Sequence, residues 1–300
     1  MEREFRVFNS KLLLFGEYTV LEGSSAIACP FEKFSAKFRM GENNNFLGLY
    51  HDFHRYMSAL DLRKWNTTFR ADSFKKVCEE GMYFDPEIPV GYGIGSSGAF
   101  TAAVYDAFME PVDHADLKTL QSLFALMESY FHGKSSGFDP LISYMNQAVL
   151  NDGQGNIKLV DLPKEYFHPY GIYLIDSGMA RSTATYVEVF REKLKDGFFR
   201  ENYIKPLIRI NDELINSYTK GKVDLGIIQK LAELSYIELK AFPEMILPEM
   251  AEVWREVHPS GKHLIKLCGA GGGGFYYLYS ADIEDFKSLF PEISPIEVFG

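Results

Sequence analysis

Three hundred residues, 46% of them apolar, are enough chain to bury one large core or two modest ones. A formal net charge of −10 argues against a general nucleic-acid binder and against adhesion to anionic lipid, since both need a basic field; any anionic ligand must be held by a local device. Cys29, Cys78 and Cys268 are odd in number and far apart, so neither a disulfide framework nor a Cys-x-x-Cys metal site is readable, and a reducing cytoplasm is expected.

The first residues mix charges with apolar side chains and lack the apolar core of a signal peptide, and no apolar run is long enough to span a bilayer. Residues 5–9, 11–15 and 27–40 read as strands, punctuated by Gly16, Gly23 and Pro30. Residues 41–45 form a polar break, and 51–80 alternate between helical and irregular patterns. Within them His51 and His54, without a third ligand at metal spacing, read as a polar surface pair. A short strand over 83–88 feeds the run Pro-Val-Gly-Tyr-Gly-Ile-Gly-Ser-Ser-Gly-Ala at 89–99. Glycines there let a backbone turn bring its N–H groups against an anion, and a helix predicted over 99–108 aims its N-terminal donors at the same spot. The run is neither a P-loop, since no Lys follows its last glycine, nor the dinucleotide fingerprint.

A second helix is predicted over 115–131, where Leu120, Leu123, Phe124, Met127 and Phe131 share one face. Glu128 lies on or beside that stripe. A carboxylate there needs a cation, donors or water, and a stripe-edge Glu reaching solvent is one way to satisfy it. Asp139-Pro140 reads equally as a helix start, with the carboxylate as cap, and as a base facing a substrate hydroxyl. Beyond a Pro- and Gly-interrupted stretch come a strand at 171–175, helices at 182–194, 199–218, 224–241 and 248–257, and strands at 263–267 and 275–279. The last two flank the glycine run 269–274, which suits either close backbone approach to a ligand or a flexible hairpin.

Four segments in order resemble the motifs of the GHMP kinases, the small-molecule kinases named for galactokinase, homoserine kinase, mevalonate kinase and phosphomevalonate kinase. They are Ser-Lys-Leu-Leu-Leu-Phe-Gly-Glu-Tyr at 10–18, the 89–99 run, Glu128 through Asp139, and Lys-Leu-Cys-Gly-Ala-Gly-Gly-Gly-Gly at 266–274. The spacing of Glu128, His132, Gly133, Ser136, Gly137 and Asp139 is similar to the pattern of the mevalonate-kinase branch. The resemblance implies an α+β fold in two domains. These are an N-terminal mixed α/β nucleotide-binding domain over 1–167, like the second domain of ribosomal protein S5, and a C-terminal ferredoxin-like α+β domain over 168–300, with the site in a cleft.

It further implies transfer of the γ-phosphoryl of ATP to a small alcohol, with mevalonate as first choice and phosphomevalonate or a sugar-like acceptor as alternatives. Asp139 would be the catalytic base, with Lys11 beside it. Gly91, Tyr92, Gly93, Ile94, Gly95, Ser96, Ser97 and Gly98 would hold the nucleotide phosphates, and Ser97 and Glu128 a Mg2+ ion. Glu17, Tyr18, Arg181, Thr183, Gly271 and Gly272 would line the acceptor site; Arg181 could equally pair with a neighbouring acid. Nucleic acid and membrane are not expected partners, and a homodimer is compatible with the resemblance. Three residues depart from it: Tyr18 where mevalonate kinases usually carry His and phosphomevalonate kinases often carry Tyr, Cys268 for Thr, and Gly98 for Ala. Residues 41–83 match no motif. A protein of this fold that senses nucleotide or metabolite without turnover is the reading from a different class.

Overall fold

A computed structural model describes residues 4–42, 47–113, 116–162, 164–180, 183–221 and 225–299. The chain divides into two compact units that interleave: one takes residues 1–11, 29–89 and 94–147, the other 12–28, 90–93 and 148–300. Two long strands explain the interleaving, because β1 (Phe8–Phe15) and β2 (Ala26–Met40) each run from one unit into the other. β1 is continuous where the sequence suggested two strands; Ser10, the polar residue at the supposed break, is buried and donates its hydroxyl to the Phe31 carbonyl at 2.8 Å.

In the first unit the far half of β2 pairs antiparallel with β3 (Met82–Pro86), from Ala36 opposite Pro86 to Met40 opposite Met82. Five helices belong to this unit among the described residues: α1 (Leu47–Ala59), α2 (Ala71–Glu79), α3 (Ser96–Phe108), α4 (Leu117–His132) and α5 (Phe138–Met145). α3 is the central one. Its small residues Gly98, Ala99, Ala102 and Ala103 are buried and let α4 and α5 pack closely on it. Phe100 on α3 meets the rings of Tyr50, Phe53, Phe84 and Phe131, at centroid separations of 5.1–6.2 Å. The segment without a motif therefore has a packing role: α1 buttresses the helix that follows the glycine loop. α4 begins where Asp116 accepts the Thr119 N–H at 3.0 Å, an N-cap that satisfies one of the helix's orphan donors.

In the second unit β4 (Ala148–Asn151) pairs with Ala26–Ala28 of β2 and with β5 (Ile157–Val160). Next come β6 (Gly171–Asp176), α6 (Thr183–Lys193), α7 (Gly197–Phe199), α8 (Lys205–Thr219), α9 (Leu225–Ala241) and α10 (Pro248–Val257). They are followed by β7 (His263–Leu267), β8 (Phe275–Ser280), α11 (Ile283–Leu289) and β9 (Ile296–Glu297). The four strands form an antiparallel sheet in the order β7-β8-β6-β9. Every residue of β7 and β8 is buried, which makes a charged side chain in either one a notable event. Among the described residues no helix is long and apolar enough to cross a membrane.

Candidate active site

Lys11 sits inside β1 rather than at an exposed strand start, and only 8% of it reaches solvent. Its N–H donates to the Ile94 carbonyl at 2.9 Å, and its side chain lies so close along Gly95 that a Cβ there would come within 2.9 Å of Lys11 Cγ. Gly95 caps α3 in the left-handed region, at φ 88°, so the helix's first-turn donors open beside the lysine. Lys11 Nζ reaches Asp139 Oδ2 at 3.0 Å. Asp139 is not the cap of α5; Gly137 holds that position with φ 69°, and Asp139 lies in the first turn with its carboxylate on Lys11.

Glu128 is 4% exposed, so it does not reach water from the edge of its stripe. Its Oε1 accepts from Ser97 Oγ at 3.0 Å and its Oε2 from Ser135 Oγ at 2.5 Å. Ser97 Oγ also lies 3.0 Å from His132 Nε2. Burial pushes the Glu128 carboxyl up to about 7, and the nearby Asp139 charge adds to the rise; the Ser135 and Ser97 hydroxyls and Lys11 pull the other way. Two acids facing one lysine leave this cluster short of positive charge. The donor set, one hydroxyl and one carboxylate, is of the hard oxygen type that suits a divalent cation keeping waters or phosphate oxygens as its other ligands. Among the described residues no group of three or more His, Cys, Asp and Glu could hold a metal alone.

In the second unit Glu17 and Tyr18 are turned onto their own chain. Glu17 Oε1 is 2.6 Å from Lys266 Nζ. Tyr18, at φ 60°, donates its hydroxyl to the Ala270 carbonyl, and its ring lies against Phe190 and Phe242 at 4.8 and 5.1 Å. The glycine run links the paired strands β7 and β8. It is approached closely by its own unit: Gly272 N donates to Met245 O and Gly274 N to Met179 O, both at 2.6 Å. A Cβ on Gly272, whose φ is 73°, would sit 2.0 Å from the Tyr186 ring. In the first glycine loop Gly91 and Gly93 also have positive φ, and the Tyr92 ring packs on Phe275 at 5.1 Å. Arg181 lies outside the described residues, as does the side chain of Thr183, which opens α6.

The structure thus gathers Lys11, Gly95, Ser97, Gly98, Glu128 and Asp139 in one unit, and Glu17, Tyr18 and the second glycine run in the other. The family described as GHMP kinases N terminal domain matches residues 62–147, the stretch carrying the loop, Glu128 and Asp139. The mevalonate kinase of Archaeoglobus fulgidus is 25% identical over 278 residues, 88% of each chain, and that of Pyrococcus abyssi is 24% identical, covering 89% of this chain and 86% of its own. The chain thus matches the N-terminal domain of the GHMP kinases over the stretch that carries the site, and is similar to mevalonate kinases along most of its length. Solved relatives share the fold. L. major mevalonate kinase in complex with R-mevalonate has a TM-score of 0.65 at 18% identity, covering 99% of this chain and 96% of its own. Streptococcus pneumoniae phosphomevalonate kinase with phosphomevalonate and AMPPNP has 0.64 at 16%, covering 97% and 98%. These matches support an ATP-using phosphotransferase with an alcohol acceptor.

Two features of the site were not legible in the sequence. The motif singles out Ser136, but the serine that reaches Glu128 is Ser135, while Ser136 Oγ accepts the Phe138 N–H at 3.3 Å. The other is the pairing of Lys266 with Glu17, for which one signal was present: a lysine in the apolar strand run His-Leu-Ile-Lys-Leu.

Proposed function

We propose that this kinase moves the γ-phosphoryl group of ATP onto the hydroxyl of mevalonate. The observation that carries the reading is the Lys11–Asp139 pair, 3.0 Å apart, packed at the start of α3 beside Ser97 and Glu128. The relatives named mevalonate kinase, aligned along most of the chain, support the choice of acceptor. In the proposed step Asp139 accepts the hydroxyl proton as the acceptor oxygen bonds to the γ-phosphorus. The bond from phosphorus to the bridging oxygen breaks, its electron pair staying with ADP. Lys11 offsets negative charge at the carboxylate and on the transferring group, and the first-turn amides of α3 face the phosphates with the helix's positive end.

Ser97 and Glu128 would hold a magnesium ion, which when bound neutralises phosphate charge. The buried Glu128, pushed up to about 7 by burial and further by the Asp139 charge, fits that role, since a cation bound there would offset both. Glu128→Gln is therefore expected to raise the magnesium concentration for half-maximal turnover by at least the ~10- to 100-fold typical of disturbing a metal site's supports. A magnesium titration at saturating ATP checks it, and an unchanged requirement removes Glu128 from the ion.

Phosphomevalonate is the second reading, favoured by Tyr18, the residue often found after Gly-Glu in phosphomevalonate kinases. ATP consumption measured with mevalonate, phosphomevalonate and galactose decides among acceptors. Turnover with none of them, together with tight nucleotide binding, would instead favour a sensor.

A further inference from the structure

Beneath the second glycine run lies a cluster of charge that the reaction as described does not use. Lys266 of β7, Glu17 after β1 and Glu238 of α9 are 1%, 6% and 4% exposed. Lys266 Nζ donates to Glu17 Oε1 at 2.6 Å and to the Leu267 carbonyl at 2.8 Å. Glu238 Oε2 accepts the Leu267 N–H at 2.8 Å, and Glu17 Oε1 faces the Gly269 N–H at 3.5 Å. With the Tyr18 hydroxyl on the Ala270 carbonyl, side chains hold backbone groups of residues 267, 269 and 270, where β7 gives way to the glycine run.

A well-packed apolar trio would hold a core as firmly, because burying ions costs several kcal/mol each before their attraction is counted. What this cluster adds is direction: each acid fixes a particular backbone N–H, and Lys266 fixes a carbonyl. We propose that Lys266, Glu17 and Glu238 are positioning residues that set the conformation of the 269–274 run and, through its close approach to Tyr92 of the first glycine loop, where a Cβ on Gly274 would lie 3.0 Å from the Tyr92 carbonyl, the rate of phosphoryl transfer. The second half of this proposal rests on the kinase reading; the first does not.

One cation with two carboxylates is balanced when one carboxyl keeps its proton. Burial raises both acids, with Lys266 opposing, and takes Glu238 to about 8, where the Glu17 charge adds to the rise. The other groups that face the cluster are the Tyr279 hydroxyl of β8, buried with no hydrogen-bond partner among the described residues, and, around that hydroxyl, Cys268 and Tyr218 of α8. The Lys266 ammonium lies over the Tyr277 ring at 4.5 Å. As pH rises through 8, Glu238 ionises and an uncompensated negative charge appears under the run.

The sign for stability follows. Between pH 4.5 and 8 the unfolded chain has released a proton that the folded chain holds at Glu238, so stability falls with pH in that window. Glu238→Gln, a neutral mimic of the protonated acid, should therefore gain in melting temperature relative to wild type from pH 5 to 8 and level off above.

The test compares wild type, Glu238→Gln and the doubly neutral Glu17→Gln/Lys266→Met. Above pH 8 amide hydrogen exchange at 267–274 should be slower in Glu238→Gln than in wild type at the same pH. The ratio of their kcat values should rise by up to about tenfold per pH unit. The double variant should keep a wild-type melting temperature and lose about tenfold in kcat with little change in KM. Equal exchange and parallel kcat profiles above pH 8, or full kcat in a folded double variant, overturn the proposal. If wild type turns over no acceptor, the kinase reading fails by itself, and the exchange comparison still decides whether the cluster governs the run.

Discussion

Asp139→Asn is expected to lower kcat by about 10³-fold while changing the KM for ATP by no more than a few-fold. The amide keeps the size and planar shape of the carboxylate but cannot take up the acceptor's proton, and a positioned base contributes roughly 10²- to 10⁴-fold. Little else should move. The start of α5 is fixed by Gly137 in its left-handed cap and by the buried Pro140, neither of which depends on the carboxylate. The substitution does take the ion-pair partner from Lys11, a residue 8% exposed, and leaves Glu128 as the remaining acid near it. Losing one partner of a largely buried pair destabilises by up to about 3–5 kcal/mol when both ions are fully enclosed, and less here because a third of the Asp139 side chain is open to water. Asp139→Asn/Lys11→Met removes the ammonium that has lost its direct partner and should recover melting temperature without recovering kcat. Steady-state kinetics beside thermal melts separate the two effects. More than a tenth of wild-type kcat in folded Asp139→Asn would exclude Asp139 as the base.

Local chemistry was the legible part of this chain. β7 spans His263–Leu267 as its apolar run suggested, and α4 begins and ends within two residues of its periodic pattern, because both signals are carried by neighbours in sequence. Partner choice was not legible. Nothing in the β-branched and aromatic run of β2 says that Ala26–Ala28 pairs with β4 while Ala36–Met40 pairs with β3. Glu17 has its partner Lys266 249 positions away, and only folding brings them to 2.6 Å. The glycine run illustrates a signature with two causes. A backbone that must admit a ligand and one that must admit its own carbonyls and a tyrosine ring both demand residues without a Cβ, and here Met179, Met245 and Tyr186 supply the close approach. The sequence of α4 showed that Glu128 needed a partner; which serine provides it depends on the turn between α4 and α5, where Ser135 rather than Ser136 points back.

Gly98→Ala is expected to separate activity from stability. The position is helical, so alanine is conformationally welcome and would by propensity alone add about 1 kcal/mol. The obstacle is α5: a Cβ at Gly98 would lie 2.9 Å from both Asp139 C and Pro140 N and 3.0 Å from Asp139 Cβ. Backbone atoms cannot swing aside as a flexible side chain can. Reaching ordinary contact at 3.4 Å from 2.9 Å requires the first turn of α5 to retreat from α3 by about 0.5 Å. Overpacking of this kind costs about 1–3 kcal/mol, so the propensity gain offsets much of it and the melting temperature should fall only slightly. The displaced turn, however, is the one that carries Asp139, while Lys11 stays with β1. Because a 1 Å misplacement can cost about 10²-fold, half that distance should lower kcat by about tenfold, with ATP binding to the α3 N-terminus affected less. A structure of the variant should show the 3.0 Å Lys11–Asp139 contact lengthened. Full kcat with that contact intact would mean that α5 absorbs the methyl elsewhere, and that the approach of the two helices at Gly98 does not set the position of the catalytic carboxylate.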